Sequence, residues 1–249
     1  MIRNFIIKRN MHLLTKFKHV ISSFLLLFSG SSYAQDHTFG SWAGWFNNVK
    51  FSAKWGLNND IQFRAGTNWG ENSMLLIRPG INYYVSPKQT VAAGYAATLV
   101  TNELPATGKR LTEHRLWQQY IITGKLGRTV LQHRFRLEQR FLMRPKETAF
   151  AQRARYFIRG MMPIGTSSGD TFTQGMFIAL QNELFFNIQN KAALNGHFFD
   201  QNRAYAAVGH RFSPRYDLEI GYMNQFLLRN EVMPNMFTHI AQIAFYTRW

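Results

Sequence analysis

Apolar and polar residues alternate with a period of two along most of the chain after its first 35 residues. In residues 218–228 one face is largely apolar, with Leu218 and Ile220, and the same alternation recurs in residues 75–85 and 91–99. Successive side chains of an extended strand point to opposite faces, so this period indicates strands with different surroundings on their two sides. Its repetition predicts many long antiparallel strands rather than helices.

Turn signals between the alternating segments delimit about twelve predicted strands, within a range of ten to fourteen. Most of them reach the roughly 9–11 residues that a tilted strand needs to cross a bilayer. They exceed the length of about 5–6 residues that is commonest in globular proteins. The predicted fold class is therefore all-β, a closed antiparallel transmembrane β-barrel. The predicted strands comprise residues 39–47, 49–57, 61–69, 73–85, 90–100, 111–123, 129–142, 152–163, 171–186, 198–211, 216–229 and 237–249.

The connections between the predicted strands broadly alternate between short and long. Short turns at one end and long loops at the other are typical of outer-membrane barrels, whose turns are periplasmic and whose loops are extracellular. An even number of strands would also leave both ends of the barrel on the periplasmic side. Tight turns are predicted at residues 58–60, 86–89 and 213–215, and longer loops at residues 101–110, 143–151 and 187–197.

The first 34 residues carry a different pattern, in which basic residues precede the apolar run VISSFLLLFSG and the small residues Ser32 and Ala34. This pattern predicts a secretion signal that is cleaved before Gln35, leaving an outer-membrane barrel domain at residues 35–249. The apolar run is about half of the ~20 residues that a membrane-spanning helix requires. Cleavage would reduce the formal charge from +16 to +11, with 24 basic and 13 acidic residues.

The charged residues of the predicted strands occupy the face opposite the apolar one. In the segment LQHRFRLEQRF at residues 131–141, Leu131 and Phe135 share one face, and Arg136 and Glu138 lie on the other. An arginine that faced lipid near the midplane would cost about 2–4 kcal/mol, so the charged face must point into the barrel. The predicted lumen charge cluster comprises Glu113, Arg115, Arg134, Arg136, Glu138, Arg140, Arg153, Arg155, Arg159, Glu183, Arg203 and Glu219.

Six short motifs combine Arg, Glu and Gln with aromatic residues. They are WQQY at 117–120, HRFRLEQRF at 133–141, RARYFIR at 153–159, NELFFN at 182–187, FDQNRAY at 199–205 and EIGYMNQF at 219–226. In these motifs the chain resembles a family of bacterial outer-membrane β-barrels that is catalogued only as a domain of unknown function. The resemblance implies the fold and the location over essentially the whole mature chain. It implies no activity and no catalytic residues.

The last strand alternates aromatic residues up to the final tryptophan, and Phe245 with Trp249 resembles the terminal signal that barrel-assembly machinery recognises. We expect that machinery and outer-membrane lipid as partners, a monomer, and no nucleic acid, because the basic charge lies mostly inside the lumen. Aromatic residues at the strand ends are predicted to form girdles at the two membrane interfaces. They are Trp42, Trp45, Trp55, Trp69, Tyr83, Tyr84 and Tyr246.

An Arg/Glu-rich lumen permits two interpretations. Ion pairs between neighbouring strands would fill the interior and give a structural barrel, whereas an excess of arginine would line a narrow pore that favours anions. Small residues at 92–98 leave space on one wall, and Trp117 and Phe157 oppose a pore if they point inward. We predict a structural or narrow pore-like barrel, with an anion-favouring passive channel as the alternative.

No enzymatic activity is predicted, although an outer-membrane lipid hydrolase is a further alternative. Residues 165–169 match the G-x-S-x-G nucleophile pattern, but no helical pattern follows them. His114, His133 or His239 could act as a general base, yet Ser41 on the adjoining first strand is expected about 20 Å from His239 along the barrel. The sequence contains no cysteine and no metal-binding or phosphate-binding motif, so we predict no catalytic residue, metal or cofactor.

Overall fold

The computed structural model describes residues 36–66, 73–103, 110–144, 146–165 and 172–249. Within these ranges eleven strands form one closed barrel, and a short 3-10 helix at Lys191–Ala193 lies between the eighth and ninth strands. The strands are β1 (Asp36–Lys50), β2 (Trp55–Ala65), β3 (Met74–Ser86), β4 (Gln89–Glu103), β5 (Arg110–Leu126), β6 (Thr129–Met143), β7 (Thr148–Pro163), β8 (Gly175–Gln189), β9 (Phe199–Ser213), β10 (Tyr216–Leu227) and β11 (Met236–Arg248). The all-β closed barrel predicted from the sequence is confirmed, with a strand number inside the expected range.

The barrel closes through a parallel pair. Each strand from β1 to β11 pairs antiparallel with the next, and β1 then pairs parallel with β11, so that Asp36 lies beside Met236 and Asn48 beside Arg248. The prediction of an even strand number is therefore wrong. With eleven strands, Asp36 and Arg248 lie at opposite ends of the barrel rather than at the same end.

The difference arises in the first two strands. In this region the sequence predicted three strands, at 39–47, 49–57 and 61–69, but the structure has only two, β1 and β2. The predicted turn at 58–60 lies inside β2. Asn and Asp usually indicate turns, but here Asn58 donates a hydrogen bond to Asn82 and Asp60 forms an ion pair with Arg78 inside the barrel. Hydrogen bonds and ion pairs inside the lumen therefore allow these polar side chains to lie within a strand rather than a turn.

The first turn occupies residues 51–54. The hydroxyl of Ser52 accepts hydrogen bonds from the backbone N–H groups of Lys54, at 3.3 Å, and Trp55, at 2.8 Å. This local bonding gives the backbone a turn in place of a strand ladder. The predicted tight turns at 86–89 and 213–215 are confirmed, with two residues between the strands in each case.

The two ends of the barrel differ in their connections. At the short-turn end the strands are joined by residues 51–54, 87–88, 127–128 and 214–215, and residues 164–165 and 172–174 belong to a longer connection. At the long-loop end the connections that the structure describes in full are residues 190–198 and 228–235. The contrast agrees with the alternation expected from the sequence.

The distribution of side chains is the reverse of that in a water-soluble protein. On the outer wall Phe135 is 49% exposed and Ile220 is 64% exposed, whereas Glu138 in the lumen is 1% exposed. Period-two alternation produces both faces from the same strands. An outer wall built of large apolar side chains exceeds by far the apolar patches that soluble monomers expose.

One part of the lumen wall is packed with apolar residues. Trp117 is buried against Leu76, Ala92 and Ala96. The small residues at 92–98, expected to leave open space, therefore accommodate the indole ring. The expectation that Trp117 and Phe157 would narrow the lumen if they pointed inward is met, since both are buried there.

Candidate functional site

All twelve residues of the predicted lumen charge cluster have their side chains on the inner face of the barrel. They lie at alternate positions of strands β5 to β10. Further charged residues on the same inner face include Asp60, Arg64, Arg78 and Asp200. On β2, Asp60 and Arg64 alternate with the outward residues Leu57 and Phe63, but the turn-type residues at 58–60 concealed this alternation in the sequence.

Glu138 is the centre of a buried ion-pair network. Its Oε2 accepts hydrogen bonds from Arg153 Nε at 3.0 Å and Nη2 at 2.7 Å, and its Oε1 accepts one from Arg155 Nη1 at 2.5 Å. Arg136 Nη1 lies 3.9 Å from the same Oε1. A single carboxylate is therefore surrounded by three guanidinium groups.

Glu183 extends this network along the neighbouring strand. Its Oε1 accepts from Arg155 Nη2 at 2.7 Å and from Arg134 Nη2 at 2.8 Å. Arg153 also donates to Asp200 at 2.9 Å. The central ion-pair layer is defined here as Arg134, Arg136, Glu138, Arg153, Arg155 and Glu183.

Separate ion pairs lie on either side of the central ion-pair layer. Towards the long-loop end, Arg115 binds Glu113 through two hydrogen bonds of 2.8 and 2.6 Å, and Arg140 Nε donates to Glu113 at 2.5 Å. Towards the short-turn end, Arg159 pairs with Glu219. Charges of both signs thus run along the length of the lumen.

Aromatic rings support many of the lumenal guanidinium groups. Phe185 is buried, and the Cζ atoms of Arg153, Arg155 and Arg203 lie 5.0, 4.4 and 4.8 Å from its ring centroid. Guanidinium groups interact favourably with aromatic faces at these distances. The rings therefore fix the arginines without neutralising their charge.

Two cavities lie in the lumen on either side of the central ion-pair layer. The long-loop cavity has a volume of about 940 Å³ and is lined by residues that include Trp42, Arg64 and Arg203. The short-turn cavity has a volume of about 550 Å³, and Tyr246 is among its lining residues. Arg78 lines both cavities, so its ion pair with Asp60 stands at the partition between them.

The three histidines considered as general bases lie on the outer wall. Each forms a hydrogen bond with a tyrosine hydroxyl on an adjacent strand. The pairs are His114 with Tyr95, His133 with Tyr156 at 2.9 Å, and His239 with Tyr222 at 2.6 Å. Polar groups on this wall therefore bond to one another.

Side-chain amides on the outer wall follow the same rule. Gln118 and Gln139 exchange two hydrogen bonds of 3.1 Å each, and Asn182 and Asn202 exchange bonds of 3.3 and 3.0 Å. Reciprocal pairing leaves less hydrogen-bonding capacity directed away from the wall.

The expected distance between Ser41 and His239 is wrong, because β1 runs parallel to β11. Ser41 lies beside Ala241, two residues from the level of His239, which corresponds to about 7 Å at roughly 3.3 Å per residue. His239 is bonded elsewhere: its Nδ1 contacts Tyr222 and its Nε2 lies 3.1 Å from His37 Nδ1. Ser41 Oγ is buried without a hydrogen-bond partner among the described residues.

Only some of the residues predicted to form aromatic girdles lie on the outer wall. On the outer wall lie Trp45, Trp55 and Tyr83. The prediction is wrong for three residues whose side chains line the lumen cavities, namely Trp42, Tyr84 and Tyr246. Trp69 lies outside the described residues. Their aromatic character suggested a position at a membrane interface, but the period-two alternation of their strands places these three rings on the inner face.

The aromatic residues of the predicted C-terminal assembly signal lie on the outer wall. Phe245 stacks on Tyr216 with ring centroids 6.2 Å apart, and Trp249 meets the same tyrosine edge-on at 5.5 Å. Both rings are partly exposed at the short-turn end.

Several segments singled out in the sequence lie wholly or partly outside the described residues. Residues 166–169 of the G-x-S-x-G segment lie outside the described residues, as do the predicted signal sequence at 1–34 and most of the loop at 101–110. In the described part of the chain no helix is long and apolar enough to cross a membrane. Within the same ranges no group of three or more His, Asp or Glu side chains could hold a metal ion.

A family model described as "Protein of unknown function (DUF2490)" matches residues 39–233. The matched span contains all of the predicted lumen charge cluster. Comparison with curated proteins and with solved structures found no match.

Proposed function

Because the chain belongs to the DUF2490 family of proteins of unknown function, we propose a function from the barrel itself: a bacterial outer-membrane β-barrel with a closed lumen filled by Arg–Glu ion pairs. The observation that carries this proposal is the burial of Glu138 among three guanidinium groups at the level that divides the two lumen cavities.

Membrane insertion is supported by the outer wall. Its exposed side chains are largely apolar, and its amides and histidines pair with neighbouring polar groups. Unpaired polar groups in hydrocarbon cost several kcal/mol each, by an order-of-magnitude estimate of about 2–7 kcal/mol. Strands of 11–17 residues are long enough to cross a bilayer at a tilt.

A closed lumen is supported by the central ion-pair layer. Arg136, Arg153 and Arg155 are all buried, and Trp117 and Phe185 pack beside them. Side chains this buried leave no room for a continuous water path next to them. We propose a structural role for the barrel, acting as a monomer, with outer-membrane lipid and the barrel-assembly machinery as partners and no nucleic acid.

Planar-bilayer recording tests the closed lumen. The purified, refolded chain is expected to give no steady current in symmetric KCl. A steady current that favours chloride would contradict the closed barrel and support the anion-favouring passive channel instead. Arg136→Ala should then alter the ratio of anion to cation permeability, whereas Arg215→Ala on the short turn 214–215 should leave it unchanged.

We further propose that the barrel has no enzymatic activity. The register of β1 with β11 brings Ser41 near the level of His239, but both ring nitrogens of His239 contact other residues. Incubation with phospholipid micelles should release no fatty acid. Release that is lost in both His239→Ala and Ser41→Ala would establish a lipid hydrolase.

A further inference from the structure

We propose that the long-loop cavity is a binding site for a small oxyanion with two negative charges, held between Arg64 and Arg203 beside Trp42. The inference goes beyond the closed barrel proposed above, because it assigns a ligand to one side of the central ion-pair layer. It rests on the pairing of the lumenal arginines, and it does not depend on whether the lumen conducts.

Arg64 is held in place by a neutral acceptor. Its Nε and Nη2 donate to Gln62 Oε1 at 3.1 and 2.7 Å, and Gln62 Nε2 donates in turn to Asp60 at 2.7 Å. The amide oxygen fixes the guanidinium group but brings no negative charge to it.

Arg203, on β9, is also held by a neutral acceptor. Its Nη2 lies 3.4 Å from Gln201 Oε1, which also accepts a hydrogen bond of 2.8 Å from Gln225. Arg203 Nε is buried and has no hydrogen-bond partner among the described residues. A buried charged donor without a partner is costly, so the protein leaves part of the hydrogen-bonding capacity of Arg203 unsatisfied.

These two arginines differ from every other arginine that lines either lumen cavity. Among the described residues, neither Arg64 nor Arg203 has a carboxylate oxygen within 4.0 Å, whereas each of the others has one. The paired arginines of the two cavities are Arg78, Arg115, Arg134, Arg136, Arg140, Arg153, Arg155, Arg159, Arg211, Arg229 and Arg248. Both arginines that lack a carboxylate contact therefore line the long-loop cavity.

Trp42 contacts both of these guanidinium groups. Its ring centroid is 4.0 Å from Arg64 Cζ and 5.0 Å from Arg203 Cζ. Contact with an aromatic face leaves the N–H edge of a guanidinium group available, and that edge matches the geometry of a carboxylate or a phosphate.

The chemistry of the site defines the ligand class. Two guanidinium groups without counter-charges select an acceptor with two negative charges, and the cavity volume of about 940 Å³ suits a small molecule. Carboxylate and phosphate share the required acceptor geometry. The experiment therefore uses one probe of each kind.

Isothermal titration calorimetry on the full chain, refolded in detergent micelles, tests the site with inorganic phosphate and with succinate as separate probes. We expect saturable one-site binding of at least one probe, and the stronger of the two identifies the oxyanion chemistry. Binding should weaken as the chloride concentration rises. Absence of saturable binding for both probes would overturn the proposal.

The decisive variant is Gln201→Glu. It retains the size and the acceptor atom of Gln201 but supplies a carboxylate to Arg203, and we expect it to weaken binding at least tenfold. Arg64→Gln, which removes one charge, should have a similar effect, and Arg203→Lys should retain part of the affinity. Arg215→Gln, on the short turn at the other end, is the matched control and should bind like the unmodified chain.

Circular dichroism of each variant establishes that the barrel is folded before its affinity is compared. Equal affinity in the control, Gln201→Glu and Arg64→Gln would mean that the anion binds elsewhere. A steady bilayer current in the unmodified chain would contradict the closed lumen. If Gln201→Glu still abolished anion binding, the oxyanion site would be supported independently of that result.

Discussion

Trp117 on β5 lies against the backbone of Gly80 on β3, so that its indole ring extends past β4 inside the barrel. A Cβ atom on Gly80 would overlap the ring, and one on Gly94 of β4 would stand 2.5 Å from Trp117 Cζ2. The ring is 1% exposed. The absence of side chains at two glycines therefore creates the space that this tryptophan fills.

Gly80→Ala is expected to destabilise the barrel, because the added methyl group must displace Trp117 from a packed site. Overpacking of this kind costs about 1–3 kcal/mol. The free energy of unfolding, measured by urea titration in lipid vesicles with tryptophan fluorescence, checks it. Gly124→Ala on β5 is the matched control, since no atom lies within 4 Å of its added Cβ. Equal stability of the two variants would refute the packing argument.

Glu138→Gln should be strongly destabilising. The substitution keeps the shape of the side chain but removes the charge that Arg153 and Arg155 share, and loss of one partner from a buried ion pair costs about 3–5 kcal/mol. The same urea titration measures the effect. Glu147→Gln provides the comparison, because that carboxylate is 67% exposed and lies 3.6 Å from Arg144. A change below about 0.5 kcal/mol, typical of surface sites, is expected there.

Arg78→Ala should open a path between the two lumen cavities. Arg78 is the arginine that lines both of them, and its ion pair with Asp60 forms part of the partition. Planar-bilayer recording is expected to show discrete current steps in this variant and none in the unmodified chain. Arg144→Ala, in the long-loop connection 144–147, should remain silent. A folded but silent Arg78→Ala would show that the central ion-pair layer closes the lumen without Arg78.

Two substitutions on β5 test whether the outer wall faces lipid. Leu116 and Leu126 both point outward and are 48% and 66% exposed, but Leu126 ends the strand at the short-turn end. Arginine costs about 2–4 kcal/mol near the midplane and about 0–1 kcal/mol near the interface. Leu116→Arg should therefore lower stability in lipid vesicles much more than Leu126→Arg. Similar losses in the two variants would argue against a wall that faces lipid.

Much of the barrel wall could be predicted from alternation alone. In the segment LQHRFRLEQRF the period of two assigned Arg134, Arg136 and Glu138 to the lumen, and their side chains lie there. The assignment follows from local geometry, because neighbouring residues of a strand must point to opposite faces. Most strand positions from β3 onward follow for the same reason.

The partners of these charges could not be predicted, because they depend on register between strands that are distant in sequence. Arg155 contacts Glu138 on one neighbouring strand and Glu183 on the other, which only the paired register brings together. The nearness of Ser41 to His239 likewise required the parallel closure of β1 on β11. The proposed oxyanion site could not be predicted, because the sequence does not show that Arg64 and Arg203 bond to the neutral residues Gln62 and Gln201 rather than to carboxylates.

The parallel pairing of β1 with β11 also has a kinetic consequence. It joins residues 200 positions apart, such as Asp36 and Met236, so its hydrogen bonds form only after a very long loop has been closed. Contacts of this sequence separation make folding slow. Until that seam closes, water can reach the carboxylates and guanidinium groups of the interior, and their dehydration must coincide with the final step of folding. The pairing of β1 with β11 is therefore the step at which a hydrated, charged sheet becomes a closed barrel.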